Sequence, residues 1–489
     1  MEVIYYLILV VYCAILVYIL VFNLLQLELF FFYRKSQSKL SRDDHSQIQY
    51  PDAYPSVTVQ LPLYNEKYVV ARLIDNICTL QYPREKLQIQ VLDDSTDESL
   101  EISKKKVAEY QQKGLDIQLI TRTERKGFKA GALQHGLQFA RGELIAIFDA
   151  DFLPDTDFLL KVVPSFHNPR VGIVQARWEH LNQNHSLLTK VQALQLNVHF
   201  FIEQLARYEA DYFLQFNGTA GIWRKSTILE AGGWQADTLT EDLDLSYRAQ
   251  LHGWKILFRE DVGSPAELPA EIWSYKSQQF RWMKGGAETA RKLLPILWRS
   301  KVPFWKKVHA TGHLAASSIF VMIFLMALLS VPMVWVVNNL GIDMRFFLIF
   351  GLGITSIALI FYQANVLNAH SRFEPTLLQR IWKFILIFPA FMAISMGLSL
   401  HNTRAVIQGL RGKKSPFIRT PKFHLHSPVS HERSYAFRRV DKITWWEGFF
   451  CVYFIFGIGA GLIEQQYSMI VLHGFLAVGF GLIFYYSVA

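Results

Sequence analysis

The sequence holds only three cysteines in 489 residues, Cys13, Cys78 and Cys451. None stands at metal-ligand spacing to another, and they do not make a disulfide framework, which excludes a disulfide-stapled secreted fold. A basic helix and an aromatic RNA-binding motif are also missing, so the net charge of +9 does not read as a nucleic-acid surface. There are no internal repeats, and the one loop rich in Ser, Asp and Gln is the short stretch 36–54. Apolar residues, by contrast, make up 51% of the chain, beside 19% charged. That mixture reads as a soluble part joined to membrane spans, with the basic excess in cytoplasmic loops.

Residues 3–32, "VIYYLILVVYCAILVYILVFNLLQLELFFF", exceed the roughly 20 apolar residues a helix needs to cross a bilayer. The start is acidic at Glu2 and "YRKSQSK" follows the run, which predicts an uncleaved anchor rather than a signal peptide. Arg34, Lys35 and Lys39 would hold its C-terminal end in the cytoplasm. We divide the chain into an anchor at 1–33, a juxtamembrane linker at 34–54 and a soluble domain at 55–297. Interface helices and spans follow at 298–402, then a basic segment at 403–442 and a C-terminal transmembrane hairpin at 443–489. Candidate spans after the soluble domain are Leu314–Val337, Phe346–Leu367, Ile381–Leu400, Thr444–Ile463 and Met469–Val488. The positive-inside rule puts the basic segment in the cytoplasm. A full span at 381–400 would put it outside. That segment therefore reads as an interfacial or re-entrant helix bent by Pro389, leaving five spans; six is the alternative.

Between Pro55 and Pro295, short apolar runs alternate with helical patterns. The runs are "VTVQLPLYNE", "IQVLDDST", "IQLITRTE", "LIAIFDAD" and "GIVQAR"; the helical patterns include Lys67–Leu80, Ser99–Lys113 and Lys129–Arg141. This predicts a mostly parallel α/β sheet covered on both faces, with ligands bound beyond the carboxyl ends of its strands. Asp93 and Asp94 follow "IQVL", and Asp149 and Asp151 follow "LIAIF", so both acidic pairs fall at that edge. Carboxylates gathered there repel one another unless a cation joins them, and Mg2+ or Mn2+ suits oxygen ligands. "TLTEDLDLSYRA" brings Glu241, Asp242 and Asp244 to a helix start. There Thr240 can cap and the acids complement the dipole, which leaves a catalytic role for Asp242 open. In "SYKSQQFRWMKGG", Gln278, Arg281 and Trp282 share one helix face. Arg can grip a diphosphate through two hydrogen bonds and Trp can stack on a sugar ring; an interfacial amphipathic helix would carry the same residues.

Taken in order, these motifs resemble the processive family 2 glycosyltransferases of the cellulose synthase superfamily. The resemblance runs from Pro62 to about Lys422, through "PLYNE", "VLDDSTD", "RKGFKAGAL", "IFDADF", "FNGTAGIWR", "AGGW", "TEDLDL" and "QQFRW". It is most similar to the plant cellulose synthase-like A and C subfamilies and their bacterial relatives, which make β-1,4-mannan or glucomannan, or the glucan backbone of xyloglucan. The resemblance implies a nucleotide-binding GT-A domain inserted between transmembrane helices. It implies that Tyr64 and Glu66 contact the nucleotide, that Asp93 or Asp94 holds the nucleoside, and that Lys129 approaches the diphosphate. It further implies that Asp149 and Asp151 bind the divalent cation and that Asp242, next to Glu241, is the general base. In the same way Arg281 would steady the diphosphate, Trp282 would stack on the acceptor with Gln278 in the same signature, and Asn217 would lie near the acceptor sugar. "SPFIRTPK" resembles a gating loop, with Phe417, Thr420 and Lys422 in place. The expected activity is inverting transfer from GDP-mannose or UDP-glucose to a growing β-linked polysaccharide, with export through the spans; a single transfer to a lipid acceptor is the alternative. The expected setting is a multi-pass protein of a bacterial inner membrane, or of the Golgi or plasma membrane, in contact with membrane lipid and with its catalytic domain cytoplasmic.

Overall fold

The computed structural model describes residues 2–40, 54–368, 376–415 and 440–488. The apolar runs noted above become β1 (Val57–Leu63), β2 (Leu87–Asp93), β3 (Ile117–Ile120), β4 (Leu144–Ile147) and β5 (Val171–His180). With β6 (Gly221–Arg224) and β7 (Lys255–Ala266) they form a seven-stranded sheet in the order β3-β2-β1-β4-β6-β5-β7. Strand β6 runs antiparallel to both its neighbours, and the other pairings are parallel. Every residue of β4 is buried, which explains a run without polar alternation: both faces of a parallel strand are covered. The polar residues that β1 does bury are paired along the sheet. Thr58 Oγ1 donates to Gln88 Oε1 at 2.8 Å, and Gln60 Nε2 donates to Gln90 Oε1 at 3.0 Å.

Register decides where the functional residues fall. Leu63 pairs with Asp93 and Gln60 with Ile147, so β1, β2 and β4 end at one edge. Strands β2 and β4 flank β1 on opposite sides. The connections after β1 and β4 therefore diverge and open a crevice at that edge.

The helices outside the sheet alter three expected boundaries. Glu2–Leu40 is one unbroken helix, so Arg34 lies within it and not in a linker. Leu29, Phe30 and Tyr33 are buried in the same core as Phe200 and Phe201, and Arg34 Nη1 donates to Gln363 Oε1 at 3.1 Å; these contacts keep the helix wound beyond the apolar run. Helix Ile272–Arg299 passes through the boundary expected after 297, and helix Ser399–Leu410 passes through that after 402.

Among the described residues six helices are long and apolar enough to cross a membrane, one of them Leu377–Gly397. That helix also packs Ile387, Phe391 and Ile394 against Val191 and Leu194 of helix Leu187–Val198 in the soluble domain. It crosses the last helix, Tyr467–Val488, at Gly397 and Gly479, where a Cβ on Gly479 would collide with the Ala393 carbonyl. Close backbone approach at small residues is a common way for apolar helices to associate. Gly479→Val is expected to cost about 1–3 kcal/mol by overpacking, read as a lower thermal midpoint in detergent. Gly459→Ala, which meets nothing within 4 Å, should leave the midpoint unchanged.

Candidate active site

The crevice holds a cavity of about 210 Å³. Strand-end alternation separates the doubled acid. Asp93 turns into the protein, accepting from Ser95 N at 2.8 Å and Ser103 Oγ at 2.6 Å, and is 1% exposed. Asp94 lines the cavity and is held by Arg122 through two bonds, Nε to Oδ1 at 3.0 Å and Nη2 to Oδ2. Of the two candidates for the nucleoside, Asp94 is thus the one that faces the cavity. Tyr64 and Glu66 line the same wall. The guanidinium of Arg125 lies 3.4 Å from the centre of the Tyr64 ring, a cation–π contact.

The acid pair after β4 divides differently. Both carboxylates line the cavity, but Asp149 Oδ1 is 2.5 Å from Lys129 Nζ, which also donates to Gly218 O at 2.8 Å. Burial alone would lower the Lys129 pKa; Asp149, Glu241 and Asp242 outweigh it and raise it above its ordinary value. Asp151 is 4% exposed.

Helix Glu241–Leu251 brings Glu241 and Asp242 to the opposite wall. The expected Thr240 side-chain cap does not form; its hydroxyl lies 3.1 Å from Thr289 Oγ1 instead. Asp242 Oδ1 accepts from Leu243 N at 2.8 Å. Gly218 has φ +80°, and a Cβ there would sit 2.9 Å from Asp242 Oδ2. Glycine therefore serves both the turn and the approach of this loop to the carboxylate. Desolvation, then the neighbouring Glu241 carboxylate, push the Asp242 pKa up to about 7, with Lys129 pulling the other way.

Gln278, Arg281 and Trp282 project from one face of helix Ile272–Arg299 into the cavity. Desolvation lowers the Arg281 pKa, while Asp149, Glu241, Glu66 and Asp242 hold its proton on. Asn217 also lines the cavity; its Oδ1 accepts from Gln215 Nε2 at 2.6 Å, and His199 Nε2 lies 3.2 Å away. Phe417, Thr420 and Lys422 lie outside the described residues.

Residues 55–285 match the family model described as "Glycosyltransferase like family 2". These residues form a glycosyltransferase-like family 2 domain. The probable glucomannan 4-beta-mannosyltransferase 4 of Oryza sativa subsp. japonica is 43% identical over 263 residues, 53% of this chain and 48% of that protein. The probable glucomannan 4-beta-mannosyltransferase 1 of Arabidopsis thaliana is 42% identical over 265 residues, again 53% and 48%. The chain thus spans about half the length of the curated relatives it matches. Among solved structures, the mannosyltransferase PcManGT from Pyrobaculum calidifontis in complex with GDP-Man and Mn2+ is similar with a TM-score of 0.50 at 21% identity, over 82% of this chain and 99% of that one. A likeness at that identity establishes the shared GT-A fold.

Arg125 and His180 are among the cavity residues that were not singled out in the sequence. Arg125 stands inside the quoted "RKGFKAGAL" and could have been weighed as a base-stacking cation. His180 closes β5, and nothing in "QARWEH" marks it. It lines the cavity with Asp149 and Asp151, and its Nε2 is buried without a hydrogen-bond partner among the described residues. Desolvation pushes its pKa down to about 4, which leaves the ring neutral near pH 7. Among the described residues no three His, Cys, Asp or Glu side chains form a ready metal cage. The two carboxylates after β4 do fit a divalent cation that takes the rest of its shell from diphosphate oxygens and water.

Proposed function

We propose that this chain is a membrane-integrated inverting mannosyltransferase that extends a β-linked mannan or glucomannan from GDP-mannose. The observation that carries the reading is the single cavity itself. It joins a nucleoside-side carboxylate (Asp94), two cations suited to a diphosphate (Lys129, Arg281), a carboxylate of raised pKa (Asp242) and an aromatic ring (Trp282). The plant relatives' names supply the polymer and the sugar, and the neighbour bound to GDP-Man agrees with the donor. Incubating purified protein with labelled GDP-mannose or UDP-glucose, followed by β-mannanase or β-glucanase digestion, tests it. Label that enters only from UDP-glucose refutes the donor, and a product carrying one sugar on lipid refutes the polymer.

In this mechanism Asp94 and Tyr64 seat the nucleoside, and Lys129 and Arg281 neutralise the charge that builds on the departing diphosphate. A divalent cation held by Asp149 and Asp151 would add to that neutralisation when bound. Asp242 takes the proton of the acceptor hydroxyl as the new glycosidic bond forms. Attack from the face opposite the diphosphate inverts the anomeric carbon, turning an α-linked donor into a β-linked product. Trp282 stacks on the terminal sugar and holds its hydroxyl in line.

Asp242 works only as the carboxylate. With its pKa raised to about 7, kcat should climb as pH rises through about 7 and fall away on the acid side. A rate–pH profile flat from pH 5.5 to 8.5 would remove Asp242 from this role.

The contact of Leu377–Gly397 with helix Leu187–Val198 supports a surface-lying helix, since the family 2 domain sits in water. Of the six apolar helices, five then cross, the count that the positive-inside rule asks for.

A further inference from the structure

Helix Ile272–Arg299 runs past residue 285, where the family 2 match ends, and at Lys276 it is held by helices outside that match. Its front carries Gln278, Arg281 and Trp282. At about 100° per residue, Lys276 lies roughly 190° around the helix from the mean direction of those three. On that back face Lys276 Nζ is 2.8 Å and 2.9 Å from the two oxygens of Glu447, and 3.3 Å from Ser487 Oγ. The Lys276 side chain is 9% exposed and that of Glu447 is 0% exposed. The partners come from the C-terminal helices Lys442–Ile463 and Tyr467–Val488, 171 and 211 residues along the chain. The backbone carbonyl of Lys276 also accepts from His401 Nε2 at 2.9 Å, from helix Ser399–Leu410.

An ammonium has three protons, and three acceptors surround this one. Burying such a pair carries a desolvation cost that a well-packed apolar pair avoids. What the ionic pair adds is direction. Bonds to both carboxylate oxygens set the rotation and register of the helix, whereas apolar contact is non-directional.

We infer that Lys276 and Glu447 are positioning residues for the transfer reaction. By holding the back of helix Ile272–Arg299, they aim Arg281 and Trp282 into the cavity and make the C-terminal helix pair part of the catalytic apparatus. This inference rests on the mannosyltransferase reading above.

The test uses the full chain in lipid nanodiscs, with Glu447→Gln and the double variant Lys276→Met/Glu447→Leu. Glu447→Gln should lower kcat by about 10–100-fold, the scale of loss when a catalytic group is displaced by about 1 Å. The donor KM should stay within about threefold, since nucleoside contacts are untouched. Backbone amides 272–285 should exchange with deuterium faster, and those of β1 and β2 should not. The double variant removes both charges, so its thermal midpoint should recover while kcat stays low. A double variant with wild-type kcat would overturn the inference, because the pair would then only stabilise. Unchanged exchange at 272–285 in Glu447→Gln would overturn it too. Wild-type protein that transfers no mannose would instead overturn the functional reading, while the exchange measurement still reports on the pair.

Discussion

Asp242→Asn is expected to lower the transfer rate by about 10²–10⁴-fold, the usual contribution of a positioned base, with GDP affinity unchanged. The substitution is nearly isosteric, and the bond from Leu243 N to Oδ1 can persist with an amide oxygen. What disappears is the basic lone pair in a site where desolvation and Glu241 have raised the proton affinity of the carboxylate. Initial rates of labelled mannose incorporation, beside GDP binding by calorimetry, separate the two effects. Retained turnover would show that another group takes the proton, with Glu241 on the same helix turn the next to test.

Arg281→Ala should cost about 10²–10³-fold in kcat, the range seen when one group that stabilises transition-state charge is removed. Arg281 faces Asp149, Glu241, Glu66 and Asp242, which keep it charged although desolvation opposes this. Removing it leaves those carboxylates turned toward an incoming diphosphate, so GDP should also bind more weakly. Arg281→Lys keeps the charge but not the planar fork that grips two oxygens at once, and should recover only part of the loss. Equal kcat for all three proteins would refute the role.

The strands bearing the acids were legible because they are central. Strand β4 is an unbroken apolar run, and in β1 and β2 the polar residues that interrupt the run, Thr58, Gln60, Gln88 and Gln90, are buried and paired within the sheet. Strands β6 and β7 were not picked out. Strand β6 is four residues long, and β7 reads "KILFREDVGSPA" because it lies at the sheet edge and follows β5 with register shifts. Its charged residues look like a loop until the pairing with β5 is seen. The span at the N-terminus was legible from its length, but its end was not. Residues 34–40 look like a polar linker and stay helical through long-range contacts such as Arg34 with Gln363.

The site divides along the same line. The residue types and their order along the chain, two acid pairs at strand ends, Thr-Glu-Asp at a helix start and Gln-x-x-Arg-Trp on one helix face, are local properties that the sequence by itself determined, and through them it resembles enzymes of nucleotide-sugar chemistry. Neighbouring residues at a strand end face opposite sides of the sheet, and only the packing of Ser103 and Arg122 decided that Asp94 turns to the cavity and Asp93 away from it. The pairing of Lys276 with Glu447 across 171 residues belongs to the tertiary structure for the same reason. No local propensity encodes which distant helix comes to lie against another; apolar burial and close helix crossing do that together.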